Sequence, residues 1–313
     1  MSSRRQSALE EYEERGFVVV RGGLDPEDDL RPVIDEYGAL ADRLAARWLE
    51  DGTISRYDAT EKPALRLLQL MRETSGRCFQ HLDISLPTED DIRHDTPAHH
   101  GPAVFDLLRS PRLLDVVEWF VGPEIYSNPC QHMRLKTPES ERSARSQACE
   151  CLTAATHWHQ DRHVLNREAD DSNVVSVWLP LTEATVENGC LLVVPRSHQQ
   201  GLVFHCNEAQ SIPEPLVGED RVPVPMEPGD VLILHPLTKH ASLPNVSDGP
   251  RWSFDLRYNV AGRPTGRPWF PGFVARSKSN PASELSDPEA WERLWRGARE
   301  ELAGKARPKF ERD

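Results

Sequence analysis

Residues 251–260 read Arg251-Trp252-Ser253-Phe254-Asp255-Leu256-Arg257-Tyr258-Asn259-Val260. Side chains along a strand alternate between its two faces, and this stretch alternates throughout. Arg251, Ser253, Asp255, Arg257 and Asn259 share one face; Trp252, Phe254, Leu256, Tyr258 and Val260 share the other. The apolar face requires a core behind it. The polar face is left either to solvent or to a wet cavity. Upstream, Gly229-Asp230 is a turn feeding the apolar strand Val231-Leu232-Ile233-Leu234. His240, Ser242 and Pro244 then share one strand parity, and Ser247-Asp248-Gly249-Pro250 is the turn that opens the strand at Arg251.

Working outward, the stretch Thr156-His157-Trp158-His159-Gln160-Asp161 offers metal ligands. In a strand, positions i and i+2 point the same way, so His159 and Asp161 converge while Gln160 turns aside. His240, arriving from another strand, completes two imidazoles and a carboxylate. That set is the facial triad of non-haem Fe(II) oxygenases, which leaves coordination positions open for chemistry. Arg251 beside it offers a planar fork of donors suited to the carboxylate of an acidic co-substrate.

Taken together, Trp158-His159-Gln160-Asp161, Val177-Trp178-Leu179-Pro180-Leu181, Glu187-Asn188-Gly189-Cys190-Leu191, Pro195-Arg196-Ser197-His198, Gly229-Asp230 and His240-Ala241-Ser242 with Asn245 and Arg251 resemble the phytanoyl-CoA dioxygenase family. The resemblance runs over about residues 10–275 and is strongest over 156–258. Arg196 stands where the family has a glycine, and Glu139–Cys151 has no clear family match. The resemblance implies Fe(II) on His159, Asp161 and His240, with 2-oxoglutarate and O2 as co-substrates. It implies that the far carboxylate of 2-oxoglutarate pairs with Arg251, helped by Ser242, and that Lys136 reaches it. Lys136 is otherwise a strand-end lysine in solvent. Trp178 flanks the co-substrate in this picture, or else is a core tryptophan. A carboxylate at Asp161, where related halogenases carry a small residue, favours hydroxylation, desaturation or ring formation.

The chain has 313 residues, 38% hydrophobic and 28% charged, ample for a core. A formal net charge of −13 speaks against nucleic acid or an anionic membrane as partner. No stretch has the apolar length of a membrane span, and Met-Ser-Ser-Arg-Arg-Gln-Ser lacks the apolar core of a signal peptide. A cytoplasmic location is expected. The six cysteines, Cys78, Cys130, Cys149, Cys151, Cys190 and Cys206, show no framework spacing and read as reduced thiols.

The expected organisation is a single catalytic domain with a mainly β fold. A helical part spans 1–122, a jelly-roll (double-stranded β-helix, cupin-like) core spans about 123–260, and a lid loop and helix span 261–313. Residues 8–22 give a short helix and the strand Gly16–Arg21, followed by a helix to about Glu50 with a stripe through Val33, Tyr37, Ala41, Leu44 and Trp48. Lys62–Arg72 and 103–121 are helical. His81, His94, His99 and His100 fall in a polar stretch without ligand spacing. Ile125–Lys136 reads as one barrel strand, with His132, Arg134 and Lys136 on one face. Asn173–Leu181 and Cys190–Pro195 are buried strands with Asn188-Gly189 as the hairpin signal between them. Residues 261–272 fold over the barrel mouth, 277–286 are flexible, and Asp287-Pro288 starts a last helix. Its stripe of Trp291, Leu294, Trp295, Ala298 and Leu302 docks on this chain or on a second subunit. Lys305–Asp313 is a frayed tail.

The expected function is hydroxylation of an unactivated C–H bond of a small-molecule metabolite or natural-product intermediate, with release of succinate and CO2. Gln131, His157, Arg257 and Trp269 are the candidate substrate contacts; His157 alternatively caps the strand mouth. The rival from another class is a cupin-like metal-binding protein without oxidative turnover, which has no need of Arg251 and Ser242. The substrate and the oligomeric state are left open.

Overall fold

The computed structural model describes residues 3–87, 92–141, 155–206 and 211–305. Strand β9 (Arg251–Val260) lies in the middle of a large antiparallel sheet ordered β1-β7-β4-β9-β2-β10, with β3 also paired to β9. The other strands are β1 (Phe17–Val20), β2 (Glu124–Ser127), β3 (His132–Lys136), β4 (Val175–Pro180), β7 (Val231–Leu234) and β10 (Phe273–Ser277). A second sheet, ordered β6-β5-β8, is built from β5 (Leu191–Val193), β6 (Val222–Val224) and β8 (His240–Ser242). The two sheets form a jelly-roll core.

Strand parity decides which side chains meet between the sheets. Phe17, Trp178, Leu232 and Leu234 of the large sheet pack against Leu191, Val193 and Val224 of the small one. The alternate positions, Val18, Val177, Leu179, Val231, Ile233, Trp252, Phe254, Leu256 and Tyr258, face the helices. β4 and β7 are therefore covered on both faces, which explains their near-continuous apolar sequence.

The helical layer is α1 (Ser3–Arg15), α2 (Arg31–Glu50), α3 (Pro63–Glu73), α4 (Pro102–Leu108), α5 (Pro111–Val121) and α6 (Pro288–Leu302). Four of these helices open on proline at the first turn (α3 to α6), where the missing N–H costs nothing. The buried stripe of α2 brings Tyr37 edge-on to Trp252 at 5.2 Å between ring centroids. Burial of an aromatic such as Phe254 contributes roughly 2–3 kcal/mol by area. The stripe of α6 docks on this chain: Trp291 lies against Phe105 at 5.6 Å, and Trp295 stacks on His100 at 5.0 Å. Leu294 is exposed.

Several expectations need correcting. Ile125–Lys136 is two strands. β2 pairs with Tyr258–Val260 and β3 with Arg251–Asp255, and the chain leaves the ladder at Asn128 and Pro129 between them. Proline has no N–H to offer a central ladder. Asn188-Gly189 is not a β4–β5 hairpin, because those strands belong to different sheets. Asn188 instead closes a turn, accepting from Thr185 N (2.7 Å) and donating to Glu183 O (2.8 Å). Ser277, the first residue of the expected flexible stretch, is the last of β10, which pairs with β2 at the sheet edge. Most of the Glu139–Cys151 stretch, with Cys149 and Cys151, and nearly all of the tail Lys305–Asp313 lie outside the described residues. No helix among the described residues is long and apolar enough to cross a membrane.

Candidate metal centre and co-substrate pocket

His159 and His240 face each other in a reciprocal backbone pair. His159 N donates to His240 O and His240 N donates to His159 O, each at 3.0 Å. A hydrogen-bonded antiparallel pair sends both side chains to one face, and the two imidazole centroids lie 4.1 Å apart. Each Nδ1 sits on a carbonyl two residues upstream: His159 on His157 O (2.8 Å) and His240 on Thr238 O (2.9 Å). Nδ1–H donating there leaves both Nε2 atoms as free lone pairs, the arrangement that orients metal-binding histidines. Burial and the neighbouring His240 push the His159 imidazole down to about 3, so it is neutral at working pH.

Asp161 does not continue a strand. It is the first residue of a 3-10 turn, Asp161–Val164, which carries its carboxylate round to the two rings. Gln160 turns away, its amide bonded to Gly201 O (2.8 Å) and Leu237 O (2.6 Å). Asp161 Oδ1 lies 3.7 Å from His159 Nε2 and Oδ2 lies 3.9 Å from His240 Nε2. One ligand atom from each residue falls within 4.8 Å of the others, the only such cluster among the described residues. Burial alone would raise the Asp161 carboxyl, but Arg257, then His240 and His159, hold it well below the usual carboxylate range. The donor set, two imidazoles held through Nδ1 and one ionised carboxylate with open positions, fits iron(II).

The triad opens into a cleft of about 530 Å³, its mouth included, lined by Arg134, Trp178, Arg251, Asp255 and Arg257 among others. All five polar residues of the inner face of β9 turn away from bulk solvent; Arg251, Ser253, Arg257 and Asn259 are fully buried. The polar face thus lines a cavity. Arg251 donates to Ser253 Oγ at 2.5 Å and lies 5.2 Å above the Trp178 ring, while its Nε has no partner. Among the described residues no carboxylate is within ion-pairing distance of it. Lys136 stands directly opposite Arg251 across the β3–β9 ladder. It donates to Ser242 Oγ and Leu243 O, both at 2.5 Å. Burial, then the Arg251 charge, pushes the Lys136 ammonium down to about 6. Ser242 Oγ also accepts from Thr156 N at 2.8 Å, so its own hydrogen is free to donate elsewhere. A buried guanidinium with an orphan N–H, beside a lysine whose proton burial displaces, calls for an anion between them. A dicarboxylate fits that demand. Gly189, at φ +90°, makes the approach possible: a Cβ there would meet Leu243 O at 2.5 Å and Lys136 Cδ at 2.7 Å.

The structure thus brings together His159, Asp161, His240, Arg251, Ser242, Lys136 and Trp178. It does not bring the four candidate substrate contacts to the cleft in that role. Arg257 reaches it, but its guanidinium is committed to Asp161 Oδ1 and to Cys130 O (3.0 Å). Gln131 is buried with its amide on Ser127 Oγ (2.8 Å), because the chain breaks from the ladder just before it. His157 is exposed and serves through its carbonyl, since the segment is no continuous strand. Trp269 packs on the helical core. Arg134, Thr156, Ser176 and Asp255 line the cleft without having been singled out. The parity of β3 and β9 already placed Arg134 and Asp255 on the inner faces.

A jelly roll holding this triad beside a carboxylate clamp defines an Fe(II)- and 2-oxoglutarate-dependent oxygenase. The sequence model of the family described as "Phytanoyl-CoA dioxygenase (PhyH)" matches residues 12–253, and the chain belongs to that family. It is 26% identical over 279 residues to the 1-deoxypentalenic acid 11-beta-hydroxylase of Streptomyces arenae, covering 82% of this chain and 83% of that one. It is 26% identical over 265 residues to the peroxisomal phytanoyl-CoA dioxygenase of Homo sapiens, covering 80% and 67%. Among solved structures, the epimerase SnoN in complex with Fe3+, alpha ketoglutarate and nogalamycin RO superimposes with a TM-score of 0.56 at 20% identity, covering 85% and 88%.

Proposed function

We propose that the protein hydroxylates an unactivated C–H bond of a small-molecule metabolite or natural-product intermediate, residues 1–313 acting as one catalytic unit. One observation carries this: the His159, Asp161 and His240 ligand atoms converge in the same cleft as an unpaired, buried Arg251. Iron bound there supplies, with 2-oxoglutarate and O2, an oxidant able to remove a substrate hydrogen atom, with succinate and CO2 as co-products.

The chain's own residues do the positioning. The carbonyls of His157 and Thr238 fix the tautomers of the two histidine ligands. Arg257 keeps Asp161 ionised and turns one of its oxygens. Arg251 and Lys136, with the Ser242 hydroxyl, take the distal carboxylate of 2-oxoglutarate, and Trp178 covers its flank. A carboxylate entering this cluster returns the Lys136 proton that burial displaces. The presence of Asp161 rather than a small residue keeps a coordination position filled, which favours hydroxylation. The likeness to the 1-deoxypentalenic acid 11-beta-hydroxylase of Streptomyces arenae supports a small-molecule substrate.

The test is anaerobic. Fe(II) and then 2-oxoglutarate are added to metal-free protein and the visible spectrum is recorded. A weak charge-transfer band that needs both is expected. Metal binding without the band would put a non-oxidative metal-binding protein ahead.

A further inference from the structure

Asp255 is a charged group in the cleft that the proposed chemistry does not use. It sits on the inner face of β9 between Arg251 and Arg257, and it lines the same cleft as the triad. Its Oδ2 accepts from Arg134 Nε at 2.8 Å, across the β3–β9 pairing. Its Oδ1 has no hydrogen-bond partner. About a quarter of the side chain (24%) is exposed, while Oδ1 itself is buried. An ionised carboxylate accepts about four hydrogen bonds, so most of this capacity is unspent. Leaving it so in a confined site is costly, and a molecule that seats a donor against Asp255 removes that cost.

The neighbours restrict what that donor is. Arg134, Arg251 and Arg257 all surround the position. An ammonium would meet three guanidiniums against two carboxylates, Asp255 and Asp161, a net positive surround. A carboxylate would meet Asp255 itself. A neutral hydroxyl suffers neither penalty, since it donates to Asp255 and keeps its oxygen lone pairs for the arginines. Resting on the oxygenase reading above, we infer that Asp255 is the specificity-determining residue of the site and that the substrate is a neutral, hydroxyl-bearing molecule whose O–H donates to its carboxylate. Arg134 is the positioning residue that holds Asp255 against β3.

A purely structural role, in which Arg134 and Asp255 only strut β3 to β9, makes the same native contact but no demand on a ligand. Binding measurements separate the two. The protein is loaded with Zn(II), which is diamagnetic, and 2-oxoglutarate. It is screened by saturation-transfer NMR against neutral alcohols, from monocyclic diols to polycyclic alcohols, each with its O-methyl ether, the matching primary amine and the matching carboxylate. Alcohols are expected to bind, with each ether and each Asp255→Ala titration weaker by about tenfold or more. Asp255→Asn keeps one acceptor oxygen, without the charge, for Arg134 and the ligand to share, and turns the other position into a donor. It is expected to fall between the two and serves if the alanine variant does not fold. The Fe(II)/2-oxoglutarate band is recorded for wild type first and then for each variant. Its absence in wild type would remove the oxygenase reading itself. With the band present, the inference is overturned if no alcohol binds, if ethers bind as well as alcohols, if amines or carboxylates bind instead, or if Asp255→Ala binds alcohols as wild type does.

Discussion

The two faces of β9 are buried to nearly the same extent and for opposite reasons. On the outer face, Trp252, Phe254, Leu256 and Tyr258 are at most 1% exposed and held by α2, α5 and their neighbours. On the inner face, Arg251, Ser253, Arg257 and Asn259 are at most 4% exposed, and Arg251 and Arg257 line a cleft. On the outer face Tyr258 Oη finds Leu108 O at 2.9 Å, and the neutral Trp252 indole N–H is left without a partner. On the inner face it is charged groups that are left so, Arg251 Nε, Arg257 Nε and Asp255 Oδ1. Burial therefore does not separate a core from a site, whereas unspent hydrogen-bonding capacity on charged groups does.

Substitutions on either side should part in kind. Asp161→Ala, at the centre of the inner cluster, is expected to abolish succinate release and weaken iron binding by at least a hundredfold or so, read by coupled assay and metal titration. Arg251→Gln should raise the 2-oxoglutarate Kd about a hundredfold with a smaller effect on Tm, since in the free protein the guanidinium loses a hydrogen bond to Ser253 Oγ and its packing over Trp178 but no ion pair. Phe254→Ala, one strand position from Asp255, should do the reverse. A loss of about 3–5 kcal/mol is expected in urea denaturation, with the charge-transfer band intact in the protein that remains folded.

Lys136 gives the comparison a pH axis. Its folded value of about 6 lies below the ordinary 10.5 of the unfolded chain. Between the two, the unfolded chain holds the extra proton, so the Lys136 contribution to stability rises with pH from about 6 towards 10.5. Binding of a carboxylate restores the proton, so 2-oxoglutarate affinity should fall as pH rises through the same window. Calorimetric Tm and Kd series from pH 6.5 to 9 check both slopes, and Lys136→Met should flatten them. The smallest effect belongs to a turn far from the cleft. Arg196 adopts φ +63°, a left-handed conformation that costs a side-chain-bearing residue. This accounts for the glycine the family has there. Arg196→Gly should gain about 0.5–1 kcal/mol in urea denaturation, its exposed pairing with Glu14 being worth little.

Much of this was legible because alternation survives in the sequence. The period of β9 and the apolar runs of β4 and β7 place the sheet, and His159, Asp161, His240 and Arg251 follow from type and spacing. What was not legible depends on departures from regularity. Extending strand parity through Thr156–Asp161 put His157 beside His159 and Asp161, and the 3-10 turn at Asp161 breaks that parity. Gln131 had no parity argument behind it, and its amide is spent on Ser127 Oγ. The Asn188-Gly189 signal is local, whereas the sheet that β5 joins is fixed by partners roughly thirty to fifty residues away, in β6 and β8. Arg257 has the right parity for substrate, and only the position of Asp161 shows where its charge is spent.

The central place of β9 has a further consequence for how the protein comes into being. Its ladder neighbours, β2, β3 and β4, are all made earlier by the ribosome, yet none of them is a neighbour of another in the sheet until β9 lies between. The elongating chain can carry His159, Asp161 and His240 and still lack the wall that aims Asp161 and faces Lys136. Closing so many distant pairings at once is slow relative to local folding. Completion of the cleft around the three ligands thereby waits for β9, the ninth of ten strands in chain order.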